Sequence, residues 1–285
     1  MDLHPTLRTK EELLHMVRKR SFLDLHGSHE SHLGYTGLSF EEAIPYSGSD
    51  DIRHINWKMT ARTQTPMLNR FSEEREIPVV LVYLNSGSLY FGEPKSKHHT
   101  AVETLTLLSY TASNSKDGFA TLFYDDRSAK WYRASRLKKM AARNYDHALS
   151  LNPIGASSDI QIAMIELSSR LKRSSVVFLI GDFLTFAQNL DFSILSHRHS
   201  VYAAIIRDRD EENITLRGKY DIIDPISQKR STIQIDSKTA TRYNKLFANK
   251  DNALLRQMDI DHIAHQKIYT DQEPLDQLIK LVRQK

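Results

Sequence analysis

At 285 residues, with 40% hydrophobic and 26% charged side chains, the chain is long enough to bury a sizeable core and has an ordinary globular composition. Its formal net charge is only +4 and opposite charges are interleaved, so no basic tail exists to track a phosphate backbone and no nucleic-acid partner is expected. With no cysteine, disulfides, thiolate nucleophiles and cysteine zinc sites are excluded.

Thr9 and Glu12 stand at capping-box spacing ahead of Leu13, Leu14, Met16 and Val17, which predicts a short opening helix. Charges scattered through this stretch do not fit a signal peptide, and no apolar run approaches the roughly 20 residues of a membrane span. The expected location is therefore the cytoplasm. HGSHESHLGYTGLSF reads as a loop, and the polar stretch after it holds one helical candidate. Ser49 to Asp51 supply its cap, and Ile52, Ile55 and Met59 its apolar face.

IPVVLVYLN is continuously apolar, as a strand buried on both faces should be. A helix follows over Ala101 to Ala112 with Val102, Leu105 and Leu108 inward; FATLFYD and AKWYRA are strands parted by Asp125 to Ser128. Ser158 is placed to cap a helix burying Ile160, Ala163, Met164, Leu167 and Leu171, and SVVFLIGD and HSVYAAII are further strands. YDIID and STIQID form a hairpin, and Thr239 to Met258 a helix with Tyr243, Leu246, Phe247 and Leu254 inward. HIAHQKIYT is the last strand; Asp271 and Pro274 open a closing helix with Leu275, Leu278, Ile279 and Val282 inward. Strands alternating with helices predict an α/β fold with a mostly parallel central sheet flanked by helices. Residues 1–76 are expected to form an N-terminal helix and a small β/irregular extension, and residues 77–285 the core, with the hairpin inserted near 219–236.

YSGSDDIRHINWKMTAR resembles the signature of the domain of unknown function 58 family, approximately YxPGDDxRxIDWxxTAR. Asp50, Asp51, Arg53, Ile55, Trp57, Thr60, Ala61 and Arg62 match, whereas Gly48, Ser49 and Asn56 replace proline, glycine and aspartate. Phe40 and Glu42 fit the preceding GxGxEFxE stretch, where Ser39 and Ile44 depart from it. The resemblance continues through PMLNRFSEEREIPVVLVYLNSGSLYFG, IGASSDI, LIGDF and IIDP, which identifies the chain as a divergent member.

That resemblance implies a von Willebrand factor type A-like core with a metal-ion-dependent adhesion site at the strand ends. Its second and third DxSxS positions map to Ser86 and Ser88, its threonine to Ser158 and its last aspartate to Asp182, but the first maps to Leu84, which has no oxygen to offer. One carboxylate is a poor match for a strongly hydrated hard cation. The expectation is a degenerate site and no cofactor, with weak Mg2+ binding as the alternative. Turn formation, helix capping and loop bonds are the structural alternatives for these four residues.

His26, His29 and His32, with Glu30, lie in a predicted loop and read as solvated; His262 and His265 should point to opposite faces. His197 and His199 would share a face if extended, without an acidic partner. Asp50 and Asp51 read as part of a structural network of helix cap, ion pair with Arg53 and a stacked Trp57, rather than as acid and base. No GxSxG, Walker or dinucleotide-binding pattern is present. The functional expectation is a non-enzymatic interaction module. The resemblance implies a MoxR-type AAA+ ATPase as partner. A metal-dependent adhesion domain, or a carboxylate hydrolase using Asp50, Asp51 and Asp182, are the alternatives.

Overall fold

A computed structural model of the protein describes residues 8–19, 38–47, 51–73, 78–114, 118–184 and 190–284. In chain order the elements are α1 (Lys10–Lys19), β1 (Leu38–Pro45), α2 (Trp57–Thr63), β2 (Met67–Glu73), β3 (Val79–Leu84) and α3 (Lys97–Asn114). Next come β4 (Phe119–Asp125), β5 (Ser128–Ser135), α4 (Lys138–Ser150), α5 (Ile160–Arg170), β6 (Val176–Gly181), α6 (Ser193–Ser196) and β7 (Ser200–Arg207). The chain ends through α7 (Arg209–Glu212), β8 (Gly218–Ile223), β9 (Arg230–Ile235), α8 (Ser237–Ile260), β10 (Ala264–Tyr269) and α9 (Pro274–Val282). Two compact units result: Met1–Leu25 with Ile77–Lys285, and His26–Glu76.

The larger unit is built on a six-stranded sheet of order β10-β7-β6-β3-β4-β5, parallel except where β5 returns antiparallel on β4. Period-two alternation sends Val79, Leu81 and Tyr83 to one face and Val80, Val82 and Leu84 to the other. Leu13, Leu105, Tyr145 and Leu278, from α1, α3, α4 and α9, cover the first face. Met164 of α5, Leu195 of α6 and Met258 of α8 cover the second. This is the expected α/β core with a mostly parallel central sheet flanked by helices, and the apolar strand runs follow from burial on both faces.

The opening helix forms as its capping box requires: Glu12 Oε2 accepts from the Thr9 amide at 2.7 Å, and Thr9 Oγ1 accepts from the Glu12 amide at 3.3 Å. Its place differs from the expected extension, because it packs into the core. Leu13 is 0% exposed and Val17 is buried beside it. Arg8 grips Glu273 at 2.7 Å and Glu103 at 3.3 Å. The boundary between units therefore does not fall at residue 76 alone.

Helix α3 is buried on every side rather than along one stripe, since α1, α4, α9 and the sheet surround it. Its threonines return their hydroxyl protons to carbonyls one turn back, Thr104 to Thr100 and Thr106 to Val102, both at 2.7 Å. Helix α4 was not apparent in the sequence because Ala141, Asn144, Tyr145 and Ala148 make its buried stripe. In α8, Leu254 is buried as expected, but Leu246 is 54% exposed and Tyr243 is also exposed; the buried line runs Ala240, Asp251, Leu254 and Met258. The β8–β9 hairpin forms as predicted, and α9 takes Pro274 in its first turn. In α9 Leu281 is fully buried, whereas Ile279 and Val282 are half-buried.

In the smaller unit β1 and β2 are antiparallel with a register shift between Phe40 and Glu42. The single helix expected from Ile52 to Met59 is instead a 3-10 turn, Ile52–His54, followed by α2. Asn56 divides them: its Oδ1 caps α2 by accepting from the Met59 amide at 3.0 Å, and its Nδ2 donates to Asn69 Oδ1 at 2.6 Å.

Because α1 is part of the core, Leu13→Ala should lower the unfolding free energy by about 2–5 kcal/mol, read from urea denaturation. An unchanged urea midpoint would mean that the helix is a dispensable appendage.

Candidate functional site

Numbered by order within the core, the sheet reads 3-2-1-4-5-6, so the strand order reverses between β3 and β6. Ligands of open α/β sheets bind in the crevice beyond the strand ends at such a reversal. The loop after β3 carries Ser86 and Ser88, and Asp182 follows the end of β6. Three of the four assigned ligand positions do converge there. Ser86 Oγ and Ser88 Oγ are hydrogen-bonded at 2.8 Å, and Ser88 lies near enough to Asp182 to help hold its carboxyl down. The loop leading to Ser158 adjoins them, since the Gly87 amide donates to Ala156 O at 2.9 Å. Ser158 is buried but does not cap α5; Asp159 does, accepting from Gln161 at 2.8 Å and Ile162 at 3.3 Å. Adjacent residues compete for one cap, and the carboxylate holds it here.

Lys97, which pattern rules place on the surface, stands at the first position of α3 with 0% exposure. Its Nζ lies 3.2 Å from Asp182 Oδ2 and 2.6 and 2.7 Å from the two oxygens of Glu211. Burial pushes the Asp182 carboxyl up, but Lys97, Ser88, Arg207 and the Leu184 amide outweigh it and hold the group below the ordinary aspartate value. At Glu211 burial prevails over the same ammonium, and its carboxyl is raised. Directly after Asp182, Phe183 holds a left-handed backbone (φ 55°) that bulky residues rarely adopt, which lets the Leu184 amide reach back to Asp182 Oδ1 at 3.3 Å.

A second buried cation adjoins the first. Arg207, the last residue of β7, donates to the Asp182 carbonyl and pairs with Asp251 at 2.7 Å. Lys267 bridges Asp251 at 2.6 Å and Glu212 at 2.7 Å. Burial alone would raise the Asp251 carboxyl, yet Lys267 and Arg207 lower it. A charged residue ending the apolar run SVYAAII was the one available sign of this centre in the sequence.

These residues do not fit a hard cation. Leu84 brings no oxygen; its side chain packs in the core against Gly181, where even a Cβ would stand 2.9 Å from Leu84 Cβ. Among the described residues no group of three or more His, Asp or Glu is arranged to hold a metal. Asn85, next to Leu84, donates from Nδ2 to Asp125 Oδ2 at 2.8 Å, and its Oδ1 is buried without a partner. The turn of the β8–β9 hairpin also presses onto this loop. The Pro225 carbonyl accepts from the Gly155 amide at 2.7 Å and lies only 2.4 Å from where a Cβ on Gly87 would stand. Beside it Tyr90 and Phe91 are 61% and 43% exposed.

The signature residues belong to the smaller unit. Asp51 accepts from the Arg53 amide at 3.0 Å and pairs with its guanidinium at 2.6 Å, as a structural network requires. Thr60 Oγ1 accepts from the Met67 amide at 3.0 Å. Among the described residues no ring stacks on Trp57, which is 71% exposed, and Arg62 is exposed too. Asp50, His26, His29, Glu30 and His32 lie outside the described residues. His197 and His199 do not share a strand face. His197 follows α6 with Nδ1 on Ser193 O at 2.7 Å, and His199 is buried ahead of β7. His262 takes a left-handed turn before β10, and only His265 is in the strand.

Residues 42–253 match the family described as "Protein of unknown function DUF58". An uncharacterized protein of Mycobacterium tuberculosis and one of Mycobacterium bovis are each 26% identical over 198 residues, 66% of this chain and 61% of theirs. The matched stretch thus spans under two thirds of those relatives. Among solved structures, an aerotolerance-related membrane protein of Bacteroides fragilis is 14% identical at a TM-score of 0.42, over 73% of this chain and 100% of that one. BatB of Bacteroides thetaiotaomicron is 12% identical with the same TM-score, 0.42, over 73% and 100%. The SpRpn10 VWA domain is 12% identical at 0.34, over 74% and 96%.

Beneath the rim, Tyr83 Oη is hydrogen-bonded to His98 Nδ1 at 2.8 Å, and burial lowers His98 to about 4 from an ordinary 6.5. The unfolded chain therefore takes up this proton below about pH 6.5 while the folded one does not until near pH 4, so stability falls as pH drops through that window. Urea unfolding at about pH 7 and about pH 4.5 should show an acid-side loss to which His98 contributes about 2 kcal/mol. His98→Gln should remove that share and leave the parts from His99, His147 and His199, which burial lowers too. An unaltered acid-side loss in the variant would refute the assignment.

Proposed function

This chain belongs to the DUF58 family, and on that premise we propose that it is a non-enzymatic protein-interaction module whose partner is a MoxR-type AAA+ ATPase. The observation that carries the reading is the state of the rim. Where an α/β sheet receives its ligand, the Asp182 and Glu211 carboxylates are committed to Lys97, and the outward surface is aromatic, Tyr90 and Phe91. A hydrolytic site needs a carboxylate or nucleophile poised toward substrate, whereas aromatic side chains exposed on a rigid rim are the usual anchors of protein contacts. Trp57, exposed on the smaller unit, is a second candidate anchor. No helix among the described residues is long and apolar enough to cross a membrane, and an ATP-consuming partner would support a cytoplasmic encounter.

Affinity capture with a purified MoxR-type ATPase in the presence of ATP tests the proposal. Capture is expected, with Tyr90→Ala/Phe91→Ala weakening it about tenfold, the effect of losing one good anchor. Trp57→Ala reports on the second surface in the same assay. If the ATPase is folded and nucleotide-bound yet leaves the protein unretained, this partnership is wrong.

A further inference from the structure

We infer that the Lys97 ammonium occupies the place of the divalent cation at this strand-end site, so the rim carries a cation built into the chain. The inference goes beyond the docking role and does not depend on which protein docks.

The geometry supplies the reasons. Lys97 Nζ lies 3.2 Å from Asp182 Oδ2, one of the assigned ligand positions, and Ser88, bonded to Ser86, is near enough to the same carboxylate to lower it. Glu211 closes the other side at 2.6 and 2.7 Å, so both carboxylates facing this centre bind the ammonium. Lys97 and Asp182 are 0% and 2% exposed, which makes the pair internal. Burial without partners is prohibitive for an ammonium, so its carboxylate contacts are structural necessities. A Mg2+ or Mn2+ ion bound to Asp182 at roughly 2 Å would lie within about 5 Å of Nζ and be repelled by it. Leu84, spent on core packing against Gly181, fits the same substitution: with a monovalent cation in place, a third carboxylate would leave excess negative charge.

The test uses the full chain without any partner. Millimolar Mn2+ in place of EDTA should leave the wild-type melting temperature unchanged, with no Mn2+ bound by electron paramagnetic resonance. Lys97→Ala frees Asp182 and Glu211 and should bind Mn2+ at least tenfold more tightly than wild type. Mn2+ should raise that variant's melting temperature or, if its metal-free form is unfolded, restore its folded circular dichroism. The gain should vanish in Lys97→Ala/Asp182→Asn. Wild-type binding of one Mn2+ that Asp182→Asn abolishes would overturn the inference. So would a Lys97→Ala chain that Mn2+ neither stabilises nor refolds, or a gain that survives loss of the Asp182 carboxylate.

Discussion

The structure turns on a buried ammonium at the point where the sheet reverses its strand order. Lys97 begins α3, the helix enclosed on all sides, and its charge is answered by Asp182 after β6 and Glu211 in α7. Three separate parts of the core are thereby tied at one atom. Such a centre is weak evidence for stability, because desolvation offsets much of the attraction. What it provides is uniqueness: a packing that leaves Lys97, Asp182 or Glu211 unmatched is strongly disfavoured. Glu211, with its raised carboxyl, is the member that adapts.

The same logic extends along the rim. Arg207 touches the Asp182 carbonyl and joins Asp251, which Lys267 shares with Glu212. The two centres therefore form one charged layer beyond the ends of β6, β7 and β10. Each carboxylate in it meets a cation from the chain itself. In this layer the charges face one another, while the neighbouring Tyr90 and Phe91 face solvent.

How much of this was legible in the sequence depended on the range of the interaction. The β3 run, the α1 capping box and the β8–β9 hairpin are set by neighbours in the chain, and residue pattern revealed them. Capping was legible only to within a residue: Asp159 rather than Ser158 caps α5, and Asn56 splits a helix that Ile52, Ile55 and Met59 had appeared to continue. Helix α4 escaped because alanine and asparagine line its buried stripe. Convergence of Ser86, Ser88 and Asp182 was readable through the family resemblance. Lys97 was not, for its partners lie 85 and 114 residues away and a lone lysine in sequence looks solvated.

The Pro225 carbonyl wedged between Gly87 and Gly155 limits how this protein can change over generations. A side chain at position 87 would have to displace this carbonyl, so the loop after β3 and the turn of the β8–β9 hairpin can change only together. Substitution in any one of the three stretches around Gly87, Gly155 and Pro225 is therefore constrained by the other two.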